Sequence, residues 1–235
     1  MKKRASRQMH ELLSKIKLSV NEHVYTKDPQ SSDLGKRIIT GSIDLIDELG
    51  FDYFTFRKLA QHINSTEASV YRYFDSKYKL LLYLTGWYWA WLEYKMAFTL
   101  YNIPSAQGRL EKAINLLTEP PKSDINYDYI NTGKLSQIVI SESAKTYLTK
   151  DVDEENSYGV FSDYKNLVGR IADIVLEINP NYKYPRMLIS TVIEGVHQQR
   201  FFAEHLPRLT DKIEDEDAPA SFYKHMVFNL IKCSF

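Results

Sequence analysis

The chain has 235 residues, 44% of them apolar, with 30 Lys/Arg balanced by 30 Asp/Glu and only 9 Gly and 8 Pro. One or two domains fit that length, and the composition excludes disordered and collagen-like chains and favours helices over a turn-dense all-β fold. The single cysteine, Cys233, excludes an intramolecular disulfide and a zinc site built on clustered cysteines, and it fits a reducing cytosol.

In chain order, the basic start MKKRASR has no apolar stretch behind it, so no secretory signal is expected and the expected location is cytoplasmic. Lys2–Arg7 reads either as an arm that tracks phosphates or enters a minor groove, or as a solvated tail. Leu12, Leu13, Ile16 and Val20 can form a short amphipathic helix, and Lys17–Tyr25 can also be extended. From Ile38 to Leu49 the apolar residues Ile38, Ile39, Ile43, Leu45, Ile46 and Leu49 share one arc at 100° per residue, which predicts an amphipathic helix of about four turns, ended by Gly50. A short helix over about 56–63 follows, with Thr55 as its N-cap and Phe54 placed to staple onto Leu59. Asn64-Ser65 then permits a tight turn through the left-handed region. A third helix over about 67–74 has Thr66 as N-cap and Val70 and Phe74 as its apolar seam.

Asp75-Ser76 opens a long helix over about 77–101. Its longest apolar run, Leu80–Leu92, spans 13 residues and falls well short of the ~20 that a membrane helix needs. Further helices are expected at about 106–118, 128–148, 158–178, 185–205 and 219–232, separated by prolines and by acidic runs at 151–155 and 211–217 that read as solvated loops. No strand-period segment stands out, and no internal repeat. The fold class expected is therefore all-α.

Two short helices joined by a tight turn, the second with one narrow apolar seam, suggest a helix-turn-helix. Leu59, Ala60 and Ile63 on the first would brace Val70 and Phe74 on the second, leaving a helix face bare to enter a major groove. Small residues at Ala68 and Ser69 allow close approach, while Tyr71 and Arg72 reach farther. Helix N-termini at Thr55, Thr66 and Ser76 present N–H groups suited to phosphate oxygens, and Lys77 adds a cation. Charge supports this weakly: residues 1–30 carry a net +4, residues 31–53 a net −3 and residues 54–82 a net +3.

The stretch Ile38–Leu82 resembles the DNA-binding domain of the TetR family of transcriptional regulators. The residues that carry the resemblance are Gly50-Phe51, Phe54-Thr55-Phe56-Arg57-Lys58-Leu59-Ala60, Val70-Tyr71-Arg72-Tyr73-Phe74, Ser76-Lys77 and Leu80-Leu81. It covers about 45 residues, and Tyr-x-Tyr-Phe-x-Ser-Lys at 71–77 is its most specific part. The resemblance implies a homodimer that sets helix 67–74 of each subunit into the major groove of a palindromic operator. It implies that Thr55, Tyr71 and Lys77 hold phosphates, and that Arg57, Glu67, Ala68, Ser69, Arg72 and Tyr73 lie on the base-reading side. It also implies a C-terminal helical region that binds an effector and dimerises. The division expected is an N-terminal extension at 1–31, a DNA-binding domain at 32–78 and an effector-binding and dimerisation domain at 79–235. Three features depart from the family pattern: Asn64 where Gly is common, the acidic Glu67 at the start of the recognition helix, and the extension of about 30 residues.

Blander readings stand beside these. Residues 54–77 can be a structural hairpin, Tyr73 a core residue, and Lys58 and Gln61 solvated face. Leu80, Leu84, Trp87, Trp91, Tyr94 and Phe98 share one face of the long helix, which reads as the wall of an effector pocket (Trp87, Trp91 and Tyr94) or as packing against other helices. Lys95, Glu93 and Glu194 are possible polar anchors there. Helices 185–205 and 219–232 are expected to dimerise through Leu188, Ile189, Val192, Ile193, Val196, Phe222, Met226, Val227 and Leu230, with Gly195 permitting close approach. The six histidines have no close metal-ligand spacing, no phosphate loop is present and no catalytic set is recognisable, so no metal, cofactor or enzyme activity is expected. The reading that results is a ligand-responsive regulator, most often a repressor, released by a small apolar effector. Its rivals are a DNA-binding regulator without a small-molecule effector and a helical lipid carrier or enzyme.

Overall fold

Ser32 starts the first long helix: its hydroxyl oxygen accepts the Gly35 N–H at 3.1 Å, one of the donors every helix start leaves unpaired. In the computed structural model, which describes residues 18–120, 126–127 and 129–232, that helix, α1, is Asp33–Leu49 and is followed by α2 (Phe56–His62), α3 (Glu67–Tyr71), α4 (Lys77–Leu100) and α5 (Ala106–Thr118). A hairpin of β1 (Asn126–Tyr127) and β2 (Ile130–Asn131) precedes α6 (Thr132–Ser141), α7 (Ser143–Tyr147), α8 (Val152–Ser157), α9 (Ser162–Ile178), α10 (Pro185–His205) and α11 (Ala218–Leu230). The described residues are all-α apart from that hairpin, whose register is Asn126↔Asn131 and Tyr127↔Ile130. The described residues group into two compact units, one within Met1–Trp91 and Pro121–Phe161 and the other within Leu92–Pro120 and Ser162–Phe235.

Several expected boundaries move for identifiable reasons. α1 begins at Asp33, before its apolar stripe, because Ser32 caps it and Gly35 fits against Pro29, where a Cβ would overlap the Pro29 carbonyl. α3 ends at Tyr71 and not at 74, since the N–H groups of Tyr73 and Phe74 both return to the Val70 carbonyl. The helix expected over 128–148 is a hairpin and two helices: Asn131 caps α6 by accepting the Lys134 N–H at 3.0 Å, and the chain breaks at Glu142. The acidic run 151–155 is not a solvated loop, because Val152–Ser157 is helical and Glu155 is 5% exposed. The helix expected from 158 starts at Ser162. Around Lys17–Tyr25, Glu22–Val24 forms a 3₁₀ turn in place of an extended segment. The expected helix over 12–20 and the arm Lys2–Arg7 lie largely or wholly outside the described residues.

The core of the first unit holds Ile38, Ile39 and Ile43 of α1, Phe54 and Leu59 around α2, Val70 and Phe74 around α3, and Leu80–Leu84 of α4, all at most 1% exposed. Burial of each such side chain contributes about 1.5–3 kcal/mol. α6 is held to α1 by Lys134, 2.6 Å from Asp44 and 3.7 Å from Asp47. The hydrogen bond to Asp44 raises the Lys134 ammonium above its ordinary range.

In the second unit α5, α9, α10 and α11 bury Leu110, Ile114, Leu167, Ile171, Val175, Ile189 and Val192. Six of the nine dimerisation residues expected from sequence are corrected here, while Phe222 is exposed and Met226 and Leu230 are half-buried. Leu188, Ile189, Val192, Ile193, Val196 and Val227 are at most 5% exposed within the chain itself, and the space left by Gly195 is filled by Tyr223 of the same chain. A regular apolar stripe marks burial and does not say against which chain.

His197 lies in this unit, partly buried. Burial, and then the Arg200 guanidinium, lowers its imidazole from 6.5 to about 4. The folded value lies below that of the unfolded chain, so the unfolded chain takes up the proton first as pH falls. This group's contribution is complete above about pH 6.5 and is lost progressively toward about pH 4. Urea unfolding at pH 7 and pH 5 should therefore show a stability difference that His197→Gln narrows by about 1–2 kcal/mol; an unchanged difference in the variant would assign the pH dependence to other groups.

Candidate nucleic-acid interface

Three local bonds build the site. The Thr55 hydroxyl oxygen accepts the Lys58 N–H at 3.2 Å and starts α2. Asn64 takes the turn at φ 49. The Thr66 hydroxyl oxygen accepts the Ser69 N–H at 3.2 Å and starts α3. Gly50, at φ 77, ends α1, and its N–H donates to the Ile46 carbonyl. Beneath these turns Leu59, Ala60, Ile63, Val70 and Phe74 are buried, so the two short helices brace each other as their seams predict.

The outer surface is open. Thr55, Arg57, Thr66, Glu67, Ala68, Tyr71 and Arg72 are exposed, and Ser69 is half-buried with its hydroxyl 2.8 Å from that of Thr66. Tyr71 is 49% exposed and sets its ring edge-on against Phe56, centroids 5.0 Å apart. Thr55 and Arg57 lie at the N-terminal end of α2 and Thr66–Ser69 at that of α3, where unpaired N–H groups favour an anion, while Tyr71 and Arg72 lie at the C-terminal end of α3. Each capping threonine accepts through its oxygen, which leaves its O–H able to donate.

Two expected contacts take other places. Tyr73 is 3% exposed, and its hydroxyl shares a 2.8 Å hydrogen bond with Ser32, which holds the phenol below its ordinary range. Of its two readings, the core residue is the one found. The Lys77 ammonium donates to the carbonyls of Phe51, Asp52 and Phe54 at 3.0, 3.3 and 3.4 Å and lies 4.7 Å from the centre of the Phe51 ring. Its three N–H groups thus meet three carbonyls, and it fastens the turn between α1 and α2 in place of standing open to a phosphate. Lys58 likewise donates to the Tyr53 carbonyl at 2.9 Å.

One residue escaped the sequence reading. Tyr53 is 72% exposed, two positions before the Thr55 cap. A large aromatic left in water beside a helix N-terminus is the signal that marks it. An open groove of about 410 Å³ flanks the turn as well, with Lys36, Arg37 and His62 among its lining residues. Farther along α4, Trp87 is buried, and Trp91 and Tyr94 are half-buried. Among the described residues no three His, Cys, Asp or Glu side chains gather as a metal ion requires, and no helix is long and apolar enough to cross a membrane.

Residues 38–84 match the family described as bacterial regulatory proteins, tetR family. No curated protein matches the sequence. Among solved structures, the fold is similar to that of the fatty acid degradation regulator FadR from Bacillus halodurans, at TM-score 0.57 and 16% identity over 85% of this chain and 98% of that one. It is similar to AibR, solved with isovaleryl coenzyme A and operator DNA, at 0.55 and 14% over 83% and 98%. It is also similar to the ketosteroid transcriptional regulator KstR2 of Mycobacterium tuberculosis, at 0.52 and 11% over 93% and 97%. At these identities the likeness is one of fold, whereas the match at 38–84 is one of sequence. Residues 38–84 thus carry the sequence pattern of the tetR family of bacterial regulatory proteins.

Proposed function

We propose that the chain is a ligand-responsive transcriptional repressor that binds a palindromic operator as a homodimer and lets go when a small apolar effector binds. The observation that carries this reading is the bare face of α3, with Glu67, Ala68 and Arg72 exposed on a helix whose opposite side is wholly buried. Residues 32–78 read DNA, and residues 79–235 bind the effector and dimerise. Arg57, Glu67, Ala68, Ser69 and Arg72 face bases, while Thr55, Thr66 and Tyr71 hold phosphates with the N–H groups of their helix ends. Lys77 acts through the turn it fastens. Glu67 suits a cytosine amine and repels phosphate, which favours selective over general binding.

Dimerisation uses the apolar residues that α10, α11 and the intervening segment leave in water: Met187, Phe201, Leu206 and Phe222, between 41% and 66% exposed. A dimer that reads a palindromic operator sets its two α3 helices about one DNA turn apart, ~34 Å. An effector that binds one separation more tightly than another shifts the population and lowers operator affinity. The solved structures of similar fold include a fatty acid degradation regulator, a protein in complex with isovaleryl coenzyme A and operator DNA, and a ketosteroid transcriptional regulator, which favours an acyl or steroid-like effector. All three tryptophans, Trp87, Trp89 and Trp91, lie on α4, so quenching of their fluorescence by acyl thioesters or sterols reports binding directly. The protein acts in the cytoplasm, by binding and not by catalysis, without metal or cofactor.

Arg72→Ala tests the reading at one residue. On duplexes recovered by selection from a random pool, it should lower affinity by about 1–3 kcal/mol and relax the choice at one base position in each half-site. The same base preference at every position in the variant would remove Arg72 from the reading set.

A further inference from the structure

The recognition helix α3 spans five residues, Glu67–Tyr71. One turn of helix does not hold its own direction, so neighbours must supply it. At its end the supplier is a distant stretch of sequence. The Thr26 N–H donates to the Tyr73 carbonyl at 2.9 Å, and the Thr26 hydroxyl donates to the Asp75 carboxylate at 3.0 Å. The Ser32 hydroxyl shares its bond with that of Tyr73, and the Lys27 ammonium lies 5.0 Å from the centre of the Tyr73 ring. One segment therefore fixes both the main chain and the side chain that follow α3.

The same segment is fastened at its other end. The Asn21 side-chain amide donates to the Tyr158 carbonyl at 2.8 Å, and the His23 ring stacks on the Tyr158 ring at 3.7 Å. Between the two ends Val24 is 1% exposed, and Gln30 donates to the Leu18 carbonyl at 2.7 Å, which closes the segment on itself. Its path thus runs from the chain just after α8 to the chain just after α3. We propose that residues 21–32 are a tether that positions the recognition helix and makes operator affinity depend on how residues 152–158 hold Asn21 and His23. The proposal rests on the DNA-reading conclusion above and adds to it a connection through the N-terminal extension.

The test uses the full chain and the duplex it selects from a random pool, with an unrelated duplex of equal length beside it. Thr26→Val removes the bond to Asp75 at nearly constant size. It should lower affinity for the selected duplex about five- to tenfold, as the loss of one charge-assisted hydrogen bond implies, and lower affinity for the unrelated duplex much less. Thr26→Ser keeps both bonds and should bind as the unaltered chain does. Asn21→Ala, which removes the bond to the Tyr158 carbonyl, should lower specific affinity about two- to threefold, and adding it to Thr26→Val should produce no further loss. A residue that only stabilised the fold would lower binding to both duplexes alike, and that result would overturn the tether. Unchanged specific affinity in a folded Thr26→Val variant, or in Asn21→Ala if Thr26→Val does not fold, would overturn it too. If the unaltered chain selects no sequence, the DNA-reading conclusion fails and the tether fails with it.

Discussion

Replacing Phe74 by alanine is expected to destabilise the first unit by about 3–5 kcal/mol and to abolish binding to any duplex. Phe74 is fully buried at the joint between α3 and α4, with its ring edge-on to Tyr83 at 5.4 Å. Truncation removes the transfer free energy of the ring and leaves a cavity that the short α3 cannot collapse to fill. The stability of a typical domain is only ~5–15 kcal/mol, so a loss of this size leaves a substantial fraction of the unit unfolded. Hydrogen exchange should show protection lost over 56–74 in Phe74→Ala while the amides around Leu110 and Ile171 keep theirs. Phe74→Leu, which refills most of the space, should keep both structure and binding. Full protection over 56–74 in the alanine variant would contradict the role of this side chain as the brace of α3.

Lys79→Met is expected to be nearly as damaging, for an electrostatic reason. The Lys79 ammonium lies 2.7 and 3.0 Å from the two carboxylate oxygens of Glu155. The Glu155 side chain is only 6% exposed, and the His23 ring nitrogen Nε2 is 3.9 Å away. Removing the ammonium strands a carboxylate out of water, at about 3–5 kcal/mol. The double variant Lys79→Met, Glu155→Met removes both charges and should return to within about 1 kcal/mol of the unaltered chain. Guanidinium unfolding of the three proteins at pH 7 measures these values, and a double variant as unstable as the single would mean that the site requires charge.

Both predictions concern features that differ in how far the sequence discloses them. The turn chemistry around the site is local, and local chemistry is legible: Thr55 and Thr66 cap helices three residues ahead, Asn64 turns through the left-handed region, and Gly50 ends α1 where its flexibility allows. The seams of α2 and α3 are legible for the same reason, since a stripe repeating at 3.6 residues has one buried side whatever lies opposite. The partner of that side is another matter. Leu188, Val192 and Val196 announce burial equally well for a subunit core and a dimer interface, and the core is what they form. Glu155 sits in a run of acids that reads as solvated, and nothing near it in sequence reveals Lys79, 76 positions upstream. Tyr73 alternates with Tyr71 in the family motif, yet one is half in water and the other is sealed by Ser32, 41 positions away. Lys77 looks like a phosphate cation until its three carbonyl partners across the turn are seen. The hairpin at 126–131 is too short for alternation to show.

The bare face of α3 matters only if a duplex occupies it. Selection of bound sites from a random DNA pool by the full-length protein, followed by sequencing of the enriched duplexes, tests that directly. The predicted result is one inverted repeat whose half-sites are centred about one helical turn apart, roughly 10 base pairs, enriched less as salt rises. A pool that stays random after repeated rounds, or that enriches a single half-site with no repeat, would contradict the reading of this chain as a dimeric operator-binding regulator.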